Sequence, residues 1–505
     1  MLEASLSSFA TYGGGLYLIY IATLLFYRFF FHPLSHIPGP PLAVATFLYE
    51  WYYDLYLDGQ FTFMLKGLHK KYGPVIRINP DEIHIDDPDY FGEVYNQTNG
   101  RVVKPPRAAE AFGPYPAAIG TASHELHRIR RSALNPFFSK KSVNDLFLVM
   151  RRHIDILCKR LDSASKTGET LNMKYMYAAV TLDIINDYCF AKSPENVMKP
   201  DFGRKGFDVV DRFVEISLLN THIPWIMRLA YSLPDRVNKF LAPALADILD
   251  FRMELSRQVE SIRNGKDKSH ENARHRTMFH ELLGSKLPPD ELRPDRIRDE
   301  AFSMVTAGST TTAHALQGAA YSIAANPAIR RRLYDELKVA IPDPSDPPSL
   351  QKLDQLPYLS AVVQESLRLH NPVTHRVLRQ FPDKSLNCHG YVIPAGWTVG
   401  MTTYLINQNE DIYPEPTAFK PERWLEHGKS LKKYSVPFGA GPRTCLGLNL
   451  AHAELVLILS SVFRQFDFDV SGVSKERDID ISRDFITAGQ ARDSPGILVK
   501  VNKAC

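Results

Sequence analysis

The 505-residue chain has no Cys-x-x-Cys pair and only five cysteines, Cys158, Cys189, Cys388, Cys445 and Cys505, at wide and uneven spacing. Such spacing excludes a disulfide framework and a cysteine-rich zinc site, and it suits a reducing compartment in which one thiol works alone. An excess of one charge is also missing. Sixty Lys+Arg against 56 Asp+Glu leave a net charge of +4, too small to make nucleic-acid binding the main task. No internal repeat or low-complexity block occurs, which excludes a fibre. Gly-x-Gly-x-x-Gly is absent as well, so a dinucleotide-binding unit or fused flavin domain is not expected. With 44% hydrophobic and 23% charged residues, the composition is that of a globular chain.

One long apolar run is present, from Tyr12 to Phe31. As a helix it would reach about 30 Å, the hydrocarbon thickness of a bilayer. No basic segment precedes it and no small-residue cleavage site follows, so an uncleaved anchor is expected rather than a signal peptide. Arg28 is expected to snorkel to the interface. Glu3 lies before the run, and Arg28 and His32 close it, which places the N-terminus in the lumen and the rest in the cytosol. Pro38, Gly39, Pro40 and Pro41 then make a stiff break. Residues 1–32 are therefore expected to be the anchor and 33–505 the catalytic body. In a cytosolic body the sequon Asn96-Gln97-Thr98 stays unglycosylated.

The fold class expected is mainly α with a minor β portion. Val75–Ile78 and Ile83–Ile85 read as strands about a turn at Asn79-Pro80-Asp81. Helices are expected from Pro294 to Asn326, from Pro357 to His370 and from Leu446 to Phe463, bounded by proline and asparagine signals. Val373–Leu378 and Tyr391–Ile393 look like further strands.

The chemistry concentrates in the stretch from Phe438 to Gly447. Cys445 lies just before a helix, where free N–H groups favour a thiolate. Gly439 and Gly441 permit turns that other residues resist. Gly447 leaves room for a flat ligand, and Arg443 offers a fork for a carboxylate. A thiolate, a flat surface and a carboxylate clamp suit sulfur-ligated haem.

Phe438, Gly441, Arg443, Cys445 and Gly447 form Phe-x-x-Gly-x-Arg-x-Cys-x-Gly, which resembles the haem-binding loop of the cytochrome P450 family. Glu365 and Arg368 resemble that family's Glu-x-x-Arg motif. Pro421-Glu422-Arg423-Trp424 resembles its Pro-Glu-Arg-Phe segment, with Trp for Phe. The resemblance implies the cytochrome P450 fold behind an N-terminal transmembrane helix, with Glu365, Arg368 and Arg423 in a structural lock. It implies Cys445 as axial ligand of haem b iron. His127, Arg131, Arg379 and Arg443 would hold haem propionates, with Phe438 and Gly447 beside the ring. Arg128 and Arg130 are read as a solvated face.

Ala307, Gly308, Ser309, Thr310, Thr311 and Thr312 resemble the family's oxygen-activating segment. Ala307 and Thr311 share a helix face, where a small side chain leaves space for O₂ and a hydroxyl can relay protons. The family's usual acid is absent, because Thr310 stands there.

The activity implied is a monooxygenase that takes electrons from NADPH through cytochrome P450 reductase, with cytochrome b5 as a second donor, on the endoplasmic reticulum membrane. Lys429, Lys432, Lys433 and Arg443 could form part of a basic docking face, or an ordinary solvated one. Phe112, Tyr115, Ile119, Ser303, Val373, Val377, Ile486 and Thr487 are candidate pocket residues and suit a lipophilic small molecule. The segment from Phe31 to Pro40 and the run 131–139 resemble fungal secondary-metabolism members, with terpenoid oxidation of the trichodiene oxygenase type nearest. A polyketide or alkaloid substrate is an alternative. So are a P450-like isomerase or dehydratase that needs neither O₂ nor reductase, and a non-catalytic haem sensor.

Overall fold

The computed structural model describes residues 2–96, 100–113, 117–241, 243–269, 271, 273 and 275–504. Tyr115 and part of the sequon at 96–98 fall outside them. Helix dominates, with four small sheets among the described residues. The chain divides into two compact units, Met1–Pro105 with Arg376–Thr402, and Pro106–His375 with Thr403–Cys505.

In the first unit a helix Leu2–Phe26 continues into a π-helical turn, Tyr27–Phe31. Tyr12–Phe31 is the one stretch among the described residues long and apolar enough to cross a membrane. The Arg28 guanidinium, on the turn at 27–31, donates to the carbonyl of Ala45.

The strands Val75–Asn79, Glu82–Ile85, Thr398–Met401 and Val377–Gln380 form one sheet in that order. Val75 pairs with Ile85 antiparallel, Glu82 with Thr398 parallel, and Val377 with Met401 antiparallel. Every residue of the first three strands is buried, so their polar members need partners. Arg376 supplies them by donating to Glu50 and Glu82, while Asn79 Nδ2 donates to Glu50 at 2.8 Å.

The second unit is built around the helix Pro294–Ala324, hereafter the long helix. Proline at its first turn and Asn326 capping the next helix set its ends as the sequence predicts. It packs against Met173–Phe190. The Thr181 hydroxyl of that neighbour donates to the Ser309 carbonyl at 2.9 Å. A Cβ at Gly308 would meet Ile185 at 3.0 Å, so glycine there permits the close approach. The helix Leu448–Phe463, hereafter the cysteine helix, buries nearly every residue from Ala453 onward in the same core.

The strand expected at Val373–Leu378 begins at Val377 instead. Thr374 and His375 turn their side chains to the buried Asp484, at 3.0 and 2.9 Å, and these bonds replace a regular ladder.

Candidate active site

The loop before the cysteine helix adopts the turns its glycines allow. Gly439 and Gly441 have φ of 68° and 69°, the left-handed region that other residues resist. The Cys445 N–H donates back to the Phe438 carbonyl at 2.9 Å and closes the loop. Phe438 packs on the helical core. Among the described residues Cys158, Cys189 and Cys388 are buried, whereas Cys445 is accessible.

The accessible surface of Cys445 faces a cavity of about 230 Å³, whose lining includes Arg131, Asn135, Phe138, Thr444, Leu448 and Asn449. A Cβ built on Gly447 would meet nothing within 4 Å. N–H groups of Gly447 and Leu448 point at the sulfur, and Arg131 adds positive charge; all three favour the thiolate. Surrounding protein nevertheless raises the thiol pKa above its ordinary value, because burial outweighs those donors. A ligated cation deprotonates a thiol outright, and the accessible sulfur, the open space at Gly447 and the neighbouring arginine fit a thiolate-bound haem.

The helix His124–Leu134 carries His127, which is buried, and Arg131, whose Nε donates to Asn135 at 3.0 Å. Burial lowers the Arg131 pKa; Cys445 and Glu300 act against that. Arg443 turns its terminal amines to the loop that starts this helix, donating to the carbonyls of Thr121 and Ala122 at 2.8 Å each. It braces that loop in addition to any role with a propionate. Arg379 lies in the first unit, where its Nη1 donates to the Leu378 carbonyl at 2.8 Å and its guanidinium sits over the Tyr95 ring.

Arg130 is not solvated as expected. It is buried and donates to Glu291 at 2.6 and 2.9 Å and to the Thr121 hydroxyl at 2.7 Å. Glu291 lies far away in sequence, so helix periodicity gives no sign of the pairing. Arg128 is exposed, as read.

On the long helix, Ala307 is exposed and Thr311 partly so, although the helix is otherwise largely buried. The Thr311 hydroxyl donates to the Ala307 carbonyl at 2.8 Å, and Thr310 to Thr306 at 3.1 Å. Each hydroxyl oxygen can still accept, and a χ1 rotation would free the proton to be donated. Gly308 is a packing position against Ile185.

Thr310 and Thr311 line a second cavity of about 290 Å³, with Lys174, Glu215, His314 and Thr487 among the other lining residues. It is more polar than a pocket for a wholly lipophilic molecule would be. Sequence reading missed His314, whose pKa burial and then Lys174 bring down to about 4. Ile486 sits at φ 74° between two short strands, an unfavourable state for a β-branched residue, held by its N–H bond to Asp484 at 2.9 Å. Phe112 packs on Phe213 and Ser303 is half-buried, while Ile119 is exposed. Val373 is half-buried, and Val377 belongs to the sheet of the first unit.

Glu365 accepts from Arg368 at 2.7 and 2.9 Å and from Arg423 at 3.1 Å. Trp424, in place of the family's Phe, donates its indole N–H to the same carboxylate at 2.9 Å. The lysines Lys429, Lys432 and Lys433 are exposed.

Comparison with known proteins places this geometry. The family model described as Cytochrome P450 matches residues 38–493. The cytochrome P450 monooxygenase tpcC of Cochliobolus heterostrophus is 39% identical, covering 96% of this chain and 95% of its own. The N-acetyltryptophan 6-hydroxylase ivoC of Emericella nidulans is 36% identical over 97% and 96%. The tryptophan 6-hydroxylase fscE of Fusarium equiseti is 34% identical over 94% of each chain. Matches that run nearly end to end, together with the cysteine loop and the buried Glu365–Arg368–Arg423 cluster, identify the chain as a member of the cytochrome P450 family, a monooxygenase and hence an oxidoreductase.

Proposed function

We propose that the chain is an anchored monooxygenase that oxidises a small secondary metabolite, with residues 1–32 as a single-pass anchor in the endoplasmic reticulum and 33–505 as its cytosolic catalytic body. The accessible Cys445, with N–H groups of Gly447 and Leu448 directed at its sulfur, is the observation that carries this reading. Cys445 would ligate haem b, and bound haem would supply dioxygen activation. Phe438 and Gly447 would border its ring. His127, Arg131, Arg379 and Arg443 would offer donors to its propionates. Ala307 leaves room on the long helix, Gly308 lets that helix pack close to Ile185, and Thr311 would pass a proton after leaving the Ala307 carbonyl, with Thr310 beside it.

Electrons would come from NADPH through a membrane reductase, with cytochrome b5 as a second donor, and Lys429, Lys432 and Lys433 suit an acidic partner. A terpenoid is the first substrate class to test, on the leader segment and the 131–139 run. An aromatic amino-acid derivative is a second reading, supported by two relatives named as tryptophan-type hydroxylases and by the polar cavity beside Thr310.

The test is a reduced carbon-monoxide difference spectrum of the membrane fraction, followed by turnover with reductase. A red-shifted Soret band that Cys445→Ser abolishes is expected, as is NADPH-dependent oxidation of a terpene or of N-acetyltryptophan. Persistence of the band in Cys445→Ser would overturn the ligand assignment. Product formed without NADPH and reductase would overturn the monooxygenase reading.

A further inference from the structure

The short strands Arg483–Phe485 and Thr487–Gly489 pair antiparallel with Phe485 opposite Thr487, so Ile486 alone makes the turn between them. Its φ of 74° is one that a β-branched side chain resists. A strained residue persists only where its surroundings hold it, and such residues gather at sites that grip a ligand. Here the holder is Asp484, which is fully buried. Its Oδ1 accepts from the Ile486 N–H at 2.9 Å and from the Thr374 hydroxyl at 3.0 Å. Its Oδ2 accepts from His375 Nδ1 at 2.9 Å. The Ala488 N–H adds a bond to the Pro372 carbonyl at 2.8 Å. The hairpin is thus pinned at two places to the segment 372–375.

That hairpin is a cavity wall. Phe485, Thr487 and Ala488 line the cavity of about 290 Å³, and Thr310 and Thr311 line it from the long helix. Two strands of three residues each are marginal by themselves, so the wall stands where its ties put it. Asp484 does not line the cavity and can affect an occupant only through the wall.

We propose that Asp484 is a positioning residue for substrate selection. By holding the strained turn at Ile486 to Thr374 and His375, it sets how far the hairpin wall stands from Thr310 and Thr311, and so which size of molecule fits beside them. This rests on the haem-monooxygenase reading for what the cavity admits, but the tie itself does not. Alanine at 484 would leave three donors unmet and release the turn. Asparagine would keep an oxygen for Ile486 and Thr374, and the neutral His375 ring can turn a lone pair to its amide.

The test uses the full-length, haem-loaded protein in two arms. The first is amide hydrogen exchange of the peptide spanning 483–489. Asp484→Ala should speed its exchange by about tenfold or more, with peptides of the long helix and the cysteine helix unchanged, and Asp484→Asn should stay within about twofold of wild type. The second is the Soret shift on titration with phenylimidazole and with imidazole, two nitrogen donors that differ in the bulk they bring to the cavity. The ratio of their two Kd values should change by about tenfold in Asp484→Ala and hold in Asp484→Asn. A general loss of structure would not move that ratio, because imidazole reports on the haem alone. Should Asp484→Ala fail to load haem, Thr374→Val carries both arms, with exchange about threefold faster and the ratio moved in the same direction. Unchanged exchange of 483–489 would overturn the tie. Asp484→Asn as damaging as Asp484→Ala would overturn it too, in favour of charge alone. Faster exchange with an unmoved ratio would overturn the positioning role. No Soret shift with imidazole in the wild type would strike the haem reading and leave the exchange result standing.

Discussion

Two glutamates lie equally deep in the helical unit and are treated in opposite ways. Glu365 is fully buried and receives Arg368, Arg423, the Lys420 N–H and the Trp424 indole. Glu454 is as deeply buried and receives no hydrogen bond of full geometry. Depth therefore does not decide the charge of a carboxyl group; the donors around it do. Glu365 is a knot of ion pairs that fixes one helix to the segment after Pro414, whereas burial without such donors pushes the Glu454 pKa well above the usual carboxylate range.

The contrast can be broken most severely at Glu365. Glu365→Gln leaves Arg368 and Arg423 without their buried counter-charge, and a loss of about 3–5 kcal/mol is expected, read as a fall in the denaturant midpoint. A loss under about 1 kcal/mol would mean that carbonyl acceptors at Asn407, Pro416 and Pro414 already neutralise the two arginines.

A buried cation offers the next test. Arg77 is fully buried and relies on carbonyls, those of Pro80 at 2.7 Å and Arg28 at 3.0 Å. Removing residues 1–31 deletes one acceptor, whereas removing 1–26 keeps it. The longer deletion should be less stable by about 1.5–3 kcal/mol, measured by thermal unfolding of the two truncated proteins side by side. Equal stability would mean that water replaces the Arg28 carbonyl.

The smallest effect is expected at Glu454, and it depends on pH. Its folded pKa lies above the unfolded value near 4.5, so its proton stabilises the fold fully below that value. The contribution is lost as pH rises toward the folded pKa, by about 1.4 kcal/mol per pH unit. Glu454→Gln carries no such proton. Its stability relative to wild type should therefore improve from pH 5 to pH 6, and a difference that stays flat would place the carboxyl's pKa in the ordinary range.

How far the molecule could be read from sequence follows from how local each signal is. The ends of the long helix and the turns of the cysteine loop are set by proline, asparagine and glycine within a few residues, and all were legible. The Glu-x-x-Arg spacing likewise places Glu365 and Arg368 on one face. Arg130 was misread because its partner Glu291 comes from a distant segment, and periodicity carries no information on such pairings. The start of the strand at Val377 was misplaced for the same reason, since Asp484 captures Thr374 and His375 from afar. Glu454 stands out in sequence as a lone acid on an apolar helix, but its lack of donors shows only in three dimensions.

The contact between Gly308 and Ile185 bears on how this enzyme can be altered. A methyl group at 308 would press on Ile185 at 3.0 Å, so position 308 grows only if position 185 shrinks. Screens that change one site at a time would score residue 308 as intolerant. A paired library, with alanine at 308 and valine or alanine at 185, would instead exchange volume between two helices. That route reaches the segment around Thr311 through its rear packing, without touching a residue that lines either cavity described above.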